Sequence, residues 1–265
     1  MSKIEIDGFL SGEAEKGRNN FYLNYKDIFD FAKDLNKFCM KYMQEQKVEW
    51  NDKHKLIIKI LFVRILENYQ AILLLVERGI ISAAKALTRT TLETVFILGG
   101  LQKNPSLLQC YFDQHEEGTK RALKAALNFK NEQLRKHAKE HNLEGHYIQK
   151  KKNLKGKELN ILSPKQWAIE ADLEDFYNFY YTSYSNTIHS NLSSLNDNID
   201  ETEKERNLAF GPSENYLYET LQCCVYILIN ATNFTALAHN NDLKKELDVY
   251  VEKINSLDKK YLLES

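Results

Sequence analysis

The chain has 265 residues, of which 43% are hydrophobic and 28% are charged. This composition is typical of a globular protein and excludes an intrinsically disordered one. The formal net charge of −1 excludes an overall positive field that would attract nucleic acid. The chain contains only 10 Gly and 3 Pro, too few for the turns of a β-sandwich, so the composition favours long helices.

The amino-terminal residues 1–20 are polar and charged and show no signal-peptide pattern. Four cysteines are present without a Cys-x-x-Cys spacing, which is typical of reduced core thiols. We therefore expect a cytoplasmic protein in which residues 1–20 form a polar segment and residues 21–265 form a single domain.

Three helices are predicted in the first part of the chain. Residues 21–46 carry an apolar stripe at three- and four-residue steps. Residues 51–78 are apolar on most sides and end before Gly79. Residues 80–101 follow directly and are stopped by Asn104-Pro105. The second and third helices are expected to form a central antiparallel hairpin.

A basic arm is predicted over residues 105–160. It consists of a polar helix, residues 105–141, with a break or bend near Gly118, and an exposed, flexible, lysine-rich loop, residues 149–157. From Lys103 to Lys157 there are thirteen Lys or Arg and six Asp or Glu, so the excess is 13 − 6 = 7 positive charges. The arm is either a solvated basic face or a surface that meets phosphates.

The remaining predicted helices complete an all-α fold of about seven helices. Ser163-Pro164 starts a short helix with Trp167, and a fifth helix, expected to pack against the hairpin, covers residues 173–191. Two more helices cover residues 213–240 and 243–263, and no strand is predicted.

No membrane span is expected in either of the two most apolar helices. The apolar part of the helix at residues 51–78 contains the charged side chains Lys59, Arg64 and Glu67, which are costly in a bilayer. The stretch 221–238 is uncharged but contains polar side chains such as Gln222 and Asn230, which favour a buried core helix.

Polar side chains at four-residue steps interrupt two of these helices. Lys85, Arg89 and Glu93 share one face of the third helix, while Tyr177, Tyr181, Ser185 and His189 form a second ladder on the fifth helix, with Tyr180, Tyr184 and Asn186 on adjoining stripes. Buried charges are costly unless they are paired. The ladders therefore indicate either an ion-pair and hydroxyl network that fixes helix register, with Arg64 and Glu67 as a further pair, or a functional site. We expect the two ladders to face each other.

The order of these segments resembles the bacterial domain-of-unknown-function family numbered 5677. The similarity covers about residues 56–195, with the stretch Lys85-Ala-Leu-Thr-Arg89-Thr-Thr-Leu-Glu93, then Trp167, then the Tyr-rich helix ending in Ser185-Asn-Thr-Ile-His189-Ser. This resemblance points to Arg89, Glu93, Tyr181, Ser185 and His189 as the site. It implies no particular activity.

A looser similarity is to the HEPN superfamily, which includes metal-independent ribonucleases of toxin–antitoxin and phage-defence systems. In that family four to six residues separate an Arg from a later His, whereas this chain has Thr182, Ser183 and Tyr184 at the positions where the Arg before His189 should lie. The resemblance therefore implies that Arg89 supplies the missing cation. His189 would act as general acid or base, and Arg89 would stabilise the charged phosphate.

Two accidental matches to other sites lie in the basic arm. Arg135 and His141 have the HEPN spacing, and His137-Ala-Lys-Glu140-His141 has the His-x-x-Glu-His pattern of some zinc peptidases. Their surroundings are lysine-rich, and no third zinc ligand can be assigned. Phosphate-binding glycine loops and zinc-finger spacings are absent from the sequence, so neither a metal nor a cofactor is expected.

The sequence thus supports two functional hypotheses. In the first, the chain is a HEPN-like ribonuclease or nucleotide-acting effector of a toxin or phage-defence system, with His189 and Arg89 catalytic. Its binding residues are Glu93, Tyr181, Ser185, Asn186 and Lys85. In the second, it is a non-enzymatic helical module that binds a protein partner, such as an antitoxin or a defence-system subunit, or a second copy of itself.

Overall fold

The computed structural model describes residues 7–47, 49–188, 199–201, 206–208 and 210–263. The fold is helical: the described residues contain eleven helices, with short 3-10 turns at Gly8–Leu10 and Pro105–Leu107. The helices are α1 (Gly12–Asn24), α2 (Lys26–Glu45), α3 (Lys53–Val76), α4 (Ile81–Lys103), α5 (Leu108–Ala126), α6 (Glu132–Glu140), α7 (Leu143–Asn153), α8 (Pro164–Glu170), α9, α10 (Leu217–Ala238) and α11 (Lys244–Asp258).

Two of these helices contain π-helical turns. Helix α9 runs without a break through an α-helical segment Glu174–Phe176, a π-helical segment Tyr177–Tyr181 and an α-helical segment Thr182–Ile188. Helix α11 continues into a π-helical turn, Lys259–Leu263. In π-helical geometry the hydrogen bonds span five residues instead of four, which shifts the side chains that follow around the helix.

Two predicted helices are divided in the structure. The first predicted helix is two helices, because Tyr25 leaves the helical conformation at φ −116° and ψ 30°, and α1 begins inside the predicted polar segment. The predicted helix 105–141 is interrupted after Ala126 and not at Gly118, which lies inside α5, so a break at Gly118 is wrong. The new helix starts where the Asn131 side chain accepts a hydrogen bond from the Leu134 amide.

The lysine-rich segment 149–157 is exposed for most of its length, but predicting it as a loop was wrong for its first half. Helix α7 continues to Asn153, and its start is capped by the Asn142 side chain, which accepts from the Gly145 amide. The lysines in its last turn also suit the negative end of the helix dipole.

One short sheet departs from the prediction that the chain has no strands. Strand β1 (Ile199–Glu201) pairs antiparallel with β2 (Arg206–Leu208), with Asp200 opposite Asn207. Strands of three residues are too short to show a two-residue hydrophobic period, so the sequence pattern could not reveal them.

Helices α3, α4 and α10 pack against one another and form the centre of the core. All three are long and apolar, and they bury side chains such as Ile65, Phe96 and Leu228 completely. Helices α2, α8 and α9 cover this centre, and α11 packs on α2 and α10. One cluster of buried side chains therefore includes residues from Phe21 to Leu257.

Helix α10 is long and apolar enough, by length and composition, to cross a membrane, and it is the single such helix among the described residues. In the structure 72% of its most apolar window is buried inside the protein. Its polar side chains form hydrogen bonds within the chain; for example, the Thr232 hydroxyl donates to the Leu228 carbonyl at 2.7 Å. These contacts are those of a core helix.

The basic arm is built from α5, α6 and α7, which make their main helix contacts with one another. Two hydrogen bonds attach its base to the core side. The buried Asp113 carboxylate accepts from the Asn160 amide at 3.1 Å, and the Gln114 side chain accepts from the Trp167 indole at 3.1 Å.

Two glycines let α4 approach its neighbours closely. A Cβ atom placed on Gly99 would lie 2.8 Å from the Ala171 Cβ and 2.7 Å from the Phe234 ring. A Cβ atom on Gly100 would lie 2.8 Å from the Trp167 ring. Real carbon atoms do not approach this closely, so the packing of α8 and α10 against α4 depends on these glycines.

We expect Gly99→Ala to destabilise the protein and Gly118→Ala to stabilise it. Alanine gains helix propensity of about 1 kcal/mol over glycine at both sites. At Gly118 the added methyl group would meet no described atom within 4 Å apart from the backbone of its own helix and its neighbours in the chain, so that gain is retained. At Gly99 overpacking costs about 1–3 kcal/mol, and Ala171 has no side-chain freedom to yield. Urea unfolding of both variants measures the difference, and equal shifts would contradict the close approach.

Candidate functional site

The site lies where α9 packs against α4. The π-helical segment of α9 turns two tyrosine rings toward α4, and the rings of Tyr177 and Tyr181 stack with centroids 4.9 Å apart. The Phe96 ring of α4 lies 6.4 Å from Tyr177 and 6.3 Å from Tyr181. This aromatic contact holds α4 and α9 together next to the polar ladders.

The Arg89 guanidinium group is held by three side chains. Its Nε donates to the Ser185 Oγ at 2.9 Å, and its Nη2 donates to the Tyr181 hydroxyl at 2.7 Å. Its Nη1 lies 3.3 Å from the Glu93 Oε1, and its Cζ lies 4.5 Å from the centre of the Tyr181 ring. The structure thus brings together four of the residues in the two predicted ladders.

The two hydroxyl groups that accept hydrogen bonds from Arg89, those of Tyr181 and Ser185, also donate hydrogen bonds themselves. The Tyr181 hydroxyl accepts from Arg89 and donates to the Glu93 Oε1 at 2.8 Å. The Ser185 hydroxyl accepts from Arg89 and donates to the Tyr181 carbonyl at 2.8 Å. Both hydroxyls therefore have a donor and an acceptor assigned, which fixes the orientation of the guanidinium plane.

The electrostatics of the cluster keep Tyr181 neutral. The Tyr181 ring is buried, and its pKa is raised to about 12. The main cause is burial, and the second is the hydrogen bond to the Glu93 carboxylate. It therefore stays protonated at neutral pH, where its hydroxyl is a donor to Glu93. Arg89 and Glu93 are partly open to solvent, with side chains 21% and 35% exposed, so the cluster lies at the edge of the core.

Part of the Arg89 guanidinium has no hydrogen-bond partner among the described residues. Its Nε donates to Ser185 and its Nη2 to Tyr181, while its Nη1 forms an ion pair with Glu93 at 3.3 Å. A guanidinium fork with open donors can bind a carboxylate or phosphate oxygen.

Lys85 lies one helical turn before Arg89 and is buried. Its Nζ lies 3.8 Å from the centre of the Tyr216 ring, a cation–π contact. Tyr216 adopts a left-handed conformation, φ 62°, directly before α10. This contact could not be predicted from the sequence, because it depends on how the segment before α10 returns to α4.

Other predicted site residues lie elsewhere. Asn186 is exposed on α9. Tyr180 and Tyr184 face α10, where the Tyr180 hydroxyl donates to Gln222 at 3.0 Å and the Tyr184 hydroxyl to the Glu219 carbonyl at 3.4 Å. His189 lies outside the described residues, so its position relative to Arg89 stays a prediction.

Arg64 and Glu67, which could have formed a second internal ion pair, are exposed on the outer face of α3. In the arm, the rings of His137 and His141 lie 4.2 Å apart on the side of α6 and at its end. Among the described residues, no group of three or more His, Cys, Asp or Glu side chains could hold a metal ion.

These features define a helical protein with a partly exposed arginine held between two core-packed helices. Comparison with known families identifies it further. The chain belongs to a family of unknown function, DUF5677, which matches residues 54–206, and this confirms the resemblance inferred from the polar ladders. No curated protein and no solved structure matches the chain. None of these comparisons points to the HEPN superfamily.

Proposed function

We propose that this protein is a cytoplasmic, HEPN-like effector that cleaves RNA or acts on a nucleotide phosphate without a metal, as in toxin or phage-defence systems. The observation that supports this most strongly is the state of Arg89. It is oriented by three described side chains, it is partly exposed, and part of its guanidinium has no hydrogen-bond partner among the described residues.

An arginine held in this way suits phosphoryl chemistry. Charge builds up on the phosphate oxygens in the transition state, and donors that are already oriented stabilise it without further reorganisation. Tyr181, Ser185 and Glu93 hold the guanidinium plane, and Lys85 adds a second positive charge one turn away. In this proposal the exposed Asn186, which follows Ser185 in the chain but lies outside the Arg89 cluster, contacts the ligand.

His189 is the general acid or base of this proposal. It follows Ser185 by four residues in the sequence, and an imidazole with an ordinary pKa near 6.5 can both take and give a proton at neutral pH. In this proposal the cation is Arg89 of α4, because Thr182, Ser183 and Tyr184 occupy the positions where a HEPN ribonuclease carries its arginine.

A second function is favoured by the completeness of the same cluster. Each described member of it has a partner, and Arg89 is already paired with Glu93. Such a network can have a purely structural role, which is to fix the register of α4 and α9. The protein would then be a non-enzymatic module that binds an antitoxin, a defence-system subunit or a second copy of itself.

An RNA-degradation assay in excess chelator separates the two functions. We expect the unmodified protein to degrade single-stranded RNA or to convert a nucleotide, and we expect His189→Ala to stop the reaction while leaving the melting temperature unchanged. His239→Ala is the matched control, because His239 lies at the end of α10, where its ring contacts the Thr235 carbonyl at 2.9 Å. An unmodified protein inert toward RNA and nucleotides would favour the binding module.

A further inference from the structure

A surface pocket in the basic arm is surrounded by lysines. It has a volume of about 470 Å³ and lies between α5, the end of α7 and the turn that follows. Its walls are formed by Lys120, Ile148, Lys151, Lys152, Leu154 and Lys155. Four of the six side chains are cationic and none is acidic, so the pocket is positive.

Three of these lysines have no acidic partner among the described residues. Lys150, which is next in the chain but outside the pocket, pairs with Glu116 at 2.8 Å. Lys120 pairs with Glu117. Lys151, Lys152 and Lys155 are exposed, and no described carboxylate lies within ion-pair distance of them. Like charges so close together repel each other, and a bound polyanion would remove that repulsion.

The helix dipole explains only part of this arrangement. Lysines in the last turn of α7 are favoured by the negative end of the helix dipole, and this accounts for Lys151 and Lys152. It does not account for Lys155, which lies beyond the end of α7 at Asn153, or for Lys120 on another helix. The convergence of two elements on one concave surface is a property of the tertiary fold.

We propose that this lysine pocket binds the phosphate backbone of RNA. The choice of RNA rests on the proposed function, while the pocket itself is separate from the Arg89 cluster. A membrane surface fits less well, because a helix that lies on a membrane needs a continuous apolar face. Ile148 is the single large apolar side chain of α7 that is strongly exposed, at 58%.

The test compares two triple charge reversals. The first is Lys151→Glu, Lys152→Glu and Lys155→Glu, and the matched control is Lys37→Glu, Lys244→Glu and Lys245→Glu, three exposed lysines of α2 and α11. Both are made in the His189→Ala background so that the RNA stays intact. Fluorescence anisotropy with a labelled single-stranded RNA measures the affinity at several salt concentrations.

We expect the pocket variant to bind RNA about tenfold more weakly or worse, and the slope of log K against log salt to fall by about 2, because each lost phosphate contact removes roughly 0.7 on single strands. The control variant should keep the steeper slope. Equal losses in both variants, no RNA binding by the parent, or lysine-dependent binding to phosphatidylserine vesicles instead would each overturn the proposal. Lysine-dependent binding in this background, together with an unmodified protein that cleaves no RNA, would support the pocket and refute the proposed ribonuclease.

Discussion

Replacing Arg89 by alanine is expected to lower the RNA-degrading activity by about 10²- to 10³-fold, the usual cost of removing one oriented donor from a charged transition state. The fold should survive this change. Glu93 would lose its cation, but its side chain is 35% exposed, so water can replace the lost partner. We expect a stability loss of about 1–3 kcal/mol, below the 3–5 kcal/mol that is typical of a fully buried ion pair.

Two further variants show whether geometry or charge matters at this position. Arg89→Lys keeps the positive charge but lacks the planar fork that reaches both Ser185 and Tyr181. Compared with Arg89→Ala, it should be more stable but only slightly more active. Arg18→Ala is the matched control, because Arg18 contacts the buried Glu77 at 3.1 Å, far along the chain from the site. It should lose stability and keep its activity.

The opposite result would identify the cluster as structural. If Arg89→Ala melts far below the parent protein, and the parent shows no activity on RNA or nucleotides, the network serves only to join α4 and α9. Thermal melting, monitored by circular dichroism, measures the stability of each variant. The degradation assay in chelator measures the RNA-degrading activity of the same samples.

The sequence predicted the long helices well because their signals are local. Helix α3 begins after Asp52, whose side chain accepts from the Lys55 amide, and α8 begins with a capping box formed by Ser163 and Gln166. The breaks that were missed, at Tyr25 and after Ala126, contain neither Gly nor Pro. They depend on how neighbouring helices pack, and a single sequence does not show this.

The candidate site was predictable to the extent that it follows helical spacing. Arg89 and Glu93 are four residues apart, as are Tyr181 and Ser185, and each pair must therefore share a helix face. The contact between the two faces was expected because polar ladders on apolar helices need partners. The π-helical turn that aligns Tyr181, and the Tyr216 ring over Lys85, depend on tertiary packing and left no pattern.

The largest loss of stability is expected for Trp167→Ala. Trp167 is 1% exposed and packs against Gly100, and its indole donates to Gln114 at 3.1 Å. Removing a buried tryptophan typically costs about 3–5 kcal/mol, a large part of the 5–15 kcal/mol that stabilises a domain. The variant should therefore unfold at a much lower urea concentration, as measured by far-ultraviolet circular dichroism.

Trp50 provides a matched control, because the chain has only two tryptophans and this one is 74% exposed. Trp50→Ala should change the stability by less than about 0.5 kcal/mol. Trp167→Phe separates the two contributions at the buried site, since it keeps most of the apolar contact with Gly100 and loses the bond to Gln114. Its stability should fall between those of the parent and Trp167→Ala. If the phenylalanine variant were as unstable as the alanine variant, the hydrogen bond that ties the basic arm to α8 would outweigh the packing of the ring.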